Sequence, residues 1–227
     1  MLPAYRYGVL HRASKAAAVT LFCIAAPFAA MAETVIVALG DSLTQGYGLP
    51  QEAGFVPRMQ DWLDARDADV RLVNAGVSGD TTAGGLARVE WTLTPEVDGM
   101  IVALGGNDLL RGIDPAVSRK NLDGIISAAR ARELPVLLVG LEASGNYGPD
   151  YKAAFDAMYP DLARTYDTLY VESFLAPILE DGDPSAARRF LQPDGIHPNA
   201  EGVARIVEAL GPRVLMLAEQ ADAAAEG

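Results

Sequence analysis

Beyond residue 33, apolar runs alternate with helical patterns along the chain. Segments 34–39 (TVIVAL), 99–104 (GMIVAL) and 135–141 (PVLLVGL) are almost continuously apolar. Strands covered on both faces have that pattern, whereas a half-exposed strand alternates. Segments 70–74 (VRLVN) and 169–172 (LYVE) are two further strand candidates. Helical patterns fill the intervals at about 52–66, 82–94, 115–132, 150–166 and 199–218. This β-α-β-α order predicts a doubly wound α/β fold with about five parallel strands and right-handed crossovers. The last segment, 219–227 (EQADAAAEG), is polar and alanine-rich and is expected to be a frayed tail. One domain over 33–218 is the expectation.

The first 32 residues follow another pattern. Arg6, Arg12 and Lys15 are their only charges, and an apolar run from Ala16 ends in Ala30-Met31-Ala32. A basic start, a short apolar stretch and a small-x-small end describe a signal peptide cut after Ala32. The competing reading is a membrane anchor. The run has about 17 residues, the lower limit for spanning a bilayer, and Pro27 interrupts it. A cleaved leader implies a periplasmic or secreted protein with no stable membrane anchoring.

Charge and cysteine content narrow the function classes. Losing the leader takes the net charge from −12 to about −15. That disfavours nucleic acid and anionic membrane surfaces as partners. The one cysteine, Cys23, lies in the leader, so the mature chain has no disulfide, cysteine nucleophile or thiolate metal site. With one histidine left, no metal and no cofactor are expected. A monomer or weak oligomer is the expected state.

In a parallel sheet, ligands bind beyond the carboxyl ends of the strands. Three polar or glycine-rich clusters follow predicted strands: Gly40-Asp41-Ser42-Leu43, Ser78-Gly79-Asp80 and Gly105-Gly106-Asn107-Asp108. A fourth, Asp194-Gly195-Ile196-His197, precedes the last helix. His197 is the only histidine of the mature chain. Asp194, three residues earlier, can accept from its Nδ1–H, which leaves Nε2 as a general base. The bland alternative makes Asp194 a turn residue. Ser42, at the end of a strand, is the candidate nucleophile once a base takes its proton. Its bland alternative is a helix cap. The Asn107 amide and the backbone N–H groups of Ser42 and Gly79 could together donate to an oxyanion. No G-x-S-x-G elbow occurs, which disfavours an α/β-hydrolase.

The order and wide spacing of these four blocks resemble those of SGNH (GDSL) hydrolases. Asn74-Ala75, Ser78-Gly79-Asp80-Thr81, Gly85-Leu86-Ala87-Arg88, residues 105–112 (GGNDLLRG) and Asn146-Tyr147-Gly148 are similar to the bacterial multifunctional acyl-CoA thioesterase I/lysophospholipase/arylesterase subfamily. The resemblance implies a three-layer α/β/α sandwich of flavodoxin-like type. It also implies cofactor-free hydrolysis of a small-molecule ester or thioester. The implied roles are Ser42 as nucleophile, Asp194 and His197 as its activating pair, and Ser42, Gly79 and Asn107 as oxyanion donors. The substrate-contacting loop would be Ala143, Ser144, Gly145, Asn146 and Tyr147. The subfamily carries Leu-Pro before Asn-Tyr-Gly, where this chain has Ala143-Ser144-Gly145. A smaller lip would bury fewer methylenes, each worth up to about 0.8 kcal/mol. Short or aromatic esters are therefore the expected substrates. Two rival readings remain at this point. One is a carbohydrate acetylesterase on the same triad. The other is a non-catalytic ligand-binding module, including a nucleotide or flavin binder, although neither G-x-G-x-x-G after the first strand nor a Walker pattern is present.

Overall fold

The computed structural model describes residues 33–179 and 187–225, together with Met1 and Ala4. The expected leader lies almost wholly outside these residues.

Five strands form one sheet: β1 (Thr34–Gly40), β2 (Val70–Gly76), β3 (Gly99–Ala103), β4 (Val136–Val139) and β5 (Leu169–Val171). Their order is β2-β1-β3-β4-β5, and every neighbouring pair is parallel. β1, β3 and β4 are buried at every position, as their unbroken apolar runs require. The outer strands β2 and β5 are largely half-buried, which explains their more polar sequences.

The principal helices are α2 (Phe55–Asp64), α3 (Thr82–Thr92), α5 (Pro115–Arg130), α6 (Pro149–Tyr166) and α8 (Ala200–Ala225). Helices α3, α5 and α6 pack side by side, and α2 packs against α8. The sheet lies between these two layers, giving the three-layer α/β/α sandwich. Among the helices whose whole span is described, three short ones escape the hydrophobic pattern: α1 (Ser42–Gln45), α4 (Gly106–Leu110) and α7 (Ala176–Leu179). Each is too brief to show a 3.6-residue period, and α1 and α4 sit directly on the strand ends.

The C-terminal end departs from expectation. Helix α8 does not stop at Ala218 but continues to Ala225. Ala218 and Ala221 are both 2% exposed, and a Cβ added at Gly99 of β3 would lie 3.8 Å from Ala221. The Thr34 hydroxyl donates to Asp222. Residues 219–225 are therefore part of the domain, tied to the first and third strands by packing and a hydrogen bond.

Candidate active site

Strand register sets the floor of the site. Gly40 is level with Gly76 on one side and Ala103 on the other. The segments leaving β1, β2 and β3 therefore emerge at one height. Arg88 of α3 ties this rim together: its guanidinium donates to the carbonyls of Gly40 (2.9 Å) and Ala75 (2.7 Å) and to the Asp80 carboxylate (2.8 Å).

Asp41 caps α1 by accepting from Leu43 N–H at 3.0 Å, and this puts Ser42 in the first helical position with its side chain in the site. His197 arrives from the opposite side on the loop before α8. That loop is closed by a bridge between Leu191 and Pro198 and by Gln192 N–H donating to the His197 carbonyl at 2.7 Å. The Gln192 amide also donates to Tyr47 and Pro198 carbonyls, at 2.8 and 3.0 Å. Asn199 caps α8 through Gly202 N–H at 3.0 Å. His197 is thus held by a loop pinned at both ends, with the Tyr47 ring 4.7 Å from its own.

Asp194, His197 and Ser42 form one hydrogen-bonded line. Asp194 Oδ2 lies 2.6 Å from His197 Nδ1, and His197 Nε2 lies 2.9 Å from Ser42 Oγ. The other carboxylate oxygen, Asp194 Oδ1, accepts from the backbone N–H of Ile196 (2.9 Å) and of His197 (3.0 Å). Partial burial alone would raise the Asp194 pKa. The bonds from His197 and from the two backbone N–H groups outweigh it and bring the carboxyl down to about 2. An ionised Asp194 accepts from Nδ1–H, so Nε2 is the nitrogen left to accept from the serine hydroxyl. Asp194 thus closes a turn with Oδ1 and meets the histidine ring with Oδ2.

The donor groups converge from the other two strands. Asp80 N–H closes a turn onto the Val77 carbonyl at 3.0 Å, and Gly79 sits inside it at φ +82°. Glycine adopts that conformation without strain. No acceptor among the described residues takes the Gly79 N–H. Asn107 is carried by α4, whose cap Gly105 has φ +123° and no room for a side chain, because a Cβ would lie 2.2 Å from the Tyr159 hydroxyl. That hydroxyl donates to the Leu104 carbonyl at 3.0 Å. Asp108, fully buried, accepts from Thr82 N–H (2.8 Å), the Thr82 hydroxyl (2.5 Å) and the Ser118 hydroxyl (2.8 Å), which locks α4 against α3 and α5.

Ser42, Gly79, Asn107 and His197 all line one cavity of about 330 Å³. Its walls are mostly apolar: Leu109 and Leu110 from α4, Leu141 after β4, Leu175, Ile196 and Tyr47. An arrangement of this kind can pass a hydroxyl proton to an imidazole and receive a negative oxygen beside several N–H donors.

The expected substrate loop, residues 143–147, does not line this cavity. Ala143 is 3% exposed; its N–H donates to Asp156 at 2.7 Å and its carbonyl accepts from Lys152 at 2.8 Å. Ser144, Gly145 and Asn146 are exposed and are absent from the lining. Tyr147 acts one layer out: its hydroxyl donates to the Leu110 carbonyl at 3.3 Å, and its ring packs on Tyr151. The residues that do form the walls come from five separate segments and carry no shared motif. Leu109, Leu110 and Ile196 fall inside blocks already marked in the sequence, whereas Tyr47, Leu141 and Leu175 carry no mark beyond their apolar character.

The chain matches the GDSL-like lipase/acylhydrolase family model over residues 38–205. Esterase TesA of Pseudomonas aeruginosa is 39% identical over 184 residues, covering 81% of this chain and 88% of its own. A thioesterase/protease/lysophospholipase of Escherichia coli is 34% identical over 182 residues, covering 80% and 83%. The crystal structure of AlinE4, an SGNH-hydrolase family esterase, aligns with a TM-score of 0.67 at 41% identity, covering 80% of this chain and 95% of that one. Four blocks at one sheet rim, joined by matches of this extent, make the chain a member of the GDSL-like lipase/acylhydrolase (SGNH) family.

Proposed function

We propose that this protein is a serine esterase that hydrolyses carboxylic esters and thioesters, of arylesterase, acyl-CoA thioesterase or lysophospholipase type, through an acyl-enzyme on Ser42. The observation that carries this reading is the unbroken line Asp194–His197–Ser42 ending in a mostly apolar cavity. Ser42 Oγ attacks the carbonyl carbon as its proton passes to His197 Nε2. The carbonyl oxygen becomes an oxyanion facing the N–H groups of Ser42 and Gly79 and the Asn107 amide. Removing one such donor typically costs about 3–4 kcal/mol of barrier. Collapse expels the alcohol or thiol, which takes the proton from His197. Water then attacks the acyl-enzyme with His197 again as base, and the carboxylic acid leaves as Ser42 Oγ takes the proton back from His197.

Leucine and isoleucine walls favour an acyl chain over a sugar, so the carbohydrate acetylesterase reading is the weaker one. They also weaken the case for short substrates alone, because the contacts available to a chain come from Leu109, Leu110, Leu141, Leu175 and Ile196 rather than from residues 143–147. The leader reading of residues 1–32 makes the enzyme periplasmic or secreted. Among the described residues no helix is long and apolar enough to cross a membrane.

The test is labelling by a serine-directed fluorophosphonate, followed by p-nitrophenyl esters of increasing length beside acyl-CoA thioesters. Labelling that vanishes in Ser42→Ala, with turnover of at least one ester class, is the expected result. A folded protein that neither labels nor turns over any ester is a binding module.

A further inference from the structure

We propose that Asp41 is a positioning residue whose second carboxylate oxygen fixes which end of the Asn107 amide faces the reacting carbonyl. The inference deepens the esterase reading above and rests on it.

Capping accounts for only half of Asp41. Its Oδ1 accepts from Leu43 N–H at 3.0 Å, and a serine, threonine or asparagine would cap α1 as well. Oδ2 has no part in the cap. It points toward α4, 3.5 Å from Asn107 Nδ2, at the long limit of a hydrogen bond, and a Cβ placed on Gly106 would come within 3.1 Å of it. The residue is 2% exposed and lines the cavity beside Ser42.

An asparagine amide is nearly symmetric in shape, so packing alone does not choose between Oδ1 and Nδ2. Only the Nδ2 end can donate to an oxyanion. A carboxylate oxygen settles the choice electrostatically. It attracts the amide hydrogens and repels the amide oxygen, and the second hydrogen on Nδ2 stays available for the substrate. The neighbouring acid cannot do this, since Asp108 spends its oxygens on Thr82 and Ser118.

Keeping a carboxylate there is unfavourable. Burial pushes Asp41 up to about 6, against the opposing pull of the Leu43 N–H, His197 and Asn107. The other ionisable groups facing it are Asp80 from the loop after β2, which raises it further, and Tyr159 from α6. A cap that destabilises the fold in its charged form, where a neutral cap would serve, points to a use for the charge.

Asp41→Asn separates the two roles, because asparagine caps as well as aspartate but carries no charge. Asp41→Ser gives a second neutral cap with no second oxygen. For a p-nitrophenyl ester, both variants should lose about ten- to thirtyfold in kcat with KM changed less than threefold, a partial loss compared with removal of a whole oxyanion donor. Asn107→Ala combined with Asp41→Asn should be no slower than Asn107→Ala alone. The kcat–pH profile should fall on acidification through two ionisations in the wild type and one in Asp41→Asn. Unchanged kcat in both folded variants overturns the proposal, as do losses from Asp41 and Asn107 that multiply. Ser42→Ala measured alongside tests the esterase reading separately: full turnover without Ser42 removes that reading and this one together, whereas abolished turnover with a normal Asp41→Asn removes only this one.

Discussion

Asp194→Asn is the substitution whose outcome the geometry specifies most closely. Asparagine keeps the size of the side chain and can keep its turn, but its two ends differ. In the native site Oδ1 accepts two backbone N–H groups, from Ile196 and His197, and Oδ2 faces His197 Nδ1. An asparagine that places its oxygen toward the backbone keeps both of those bonds and turns its NH2 toward Nδ1. The reverse orientation gains one bond to Nδ1–H and sets a donor against two donors. With about 0.5–1.5 kcal/mol net for each bond kept, the unproductive orientation is favoured by about 1–3 kcal/mol. NH2 facing Nδ1 puts the ring proton on Nε2, which then cannot take the proton of Ser42. Loss of the charge that steadies the imidazolium adds to this. The expected fall in kcat is about a thousandfold, with KM within about threefold, since nothing that touches the acyl chain has moved. Steady-state kinetics on a short p-nitrophenyl ester, with circular dichroism to verify folding, measure it. The loss should be smaller than that from Ser42→Ala, which removes the nucleophile. A folded Asp194→Asn enzyme within tenfold of the parent kcat, or one altered only in KM, would refute the reasoning.

Asp41→Asn should raise stability at pH 8 by up to about 3 kcal/mol and leave it little changed near pH 4. The folded-state pKa of Asp41 lies above the 3.8 of the unfolded chain, so the native form loses stability as pH rises from 3.8 through about 6; equal effects in denaturant titrations at both pH values would contradict this. Gly105→Ala meets both a positive φ and the Tyr159 hydroxyl, whereas Gly148→Ala meets a positive φ with nothing within 4 Å. Thermal unfolding should therefore show the larger drop for Gly105→Ala, by about 2 kcal/mol or more, and a kcat loss for it alone. Leu110→Ala should lower the octanoyl-to-acetyl ratio of kcat/KM by about three- to tenfold, from roughly 1 kcal/mol of lost apolar contact, while Ser144→Pro should leave that ratio unchanged.

The sheet and the four chemical blocks are the legible part of this protein, for local reasons. β1, β3 and β4 are buried on both faces, so apolar residues fill every position and the strands stand out as unbroken runs. Parallel strands all carry their carboxyl ends to one rim, so Asp41-Ser42, Gly79 and Asn107 had to meet once those runs were recognised. The hydrogen-bonding groups of Asp194 and His197 are three residues apart, and their pairing needs no distant part of the chain. Even the extension of α8 has a local trace, since buried Val214, Leu217, Ala218 and Ala221 continue its helical period; small alanines gave that trace little weight against the polar residues between them.

Tertiary structure alone decided what lines the cavity and how its donors are aimed. Ala143 looks like a small, loose lip residue in sequence, yet Asp156 and Lys152 from α6 hold it inside the protein. The walls are assembled from Tyr47, Leu109, Leu110, Leu141, Leu175 and Ile196, residues far apart in the chain that become neighbours only when five segments fold onto one sheet edge. Asp41 reads as a helix cap until Asn107, 66 residues later, is set beside its unused oxygen. Apolar periodicity reports which face of an element is buried, a one-dimensional property. Which side chains then meet across a cavity depends on register and loop path, and those are settled by long-range packing and hydrogen bonds that leave no pattern in the sequence.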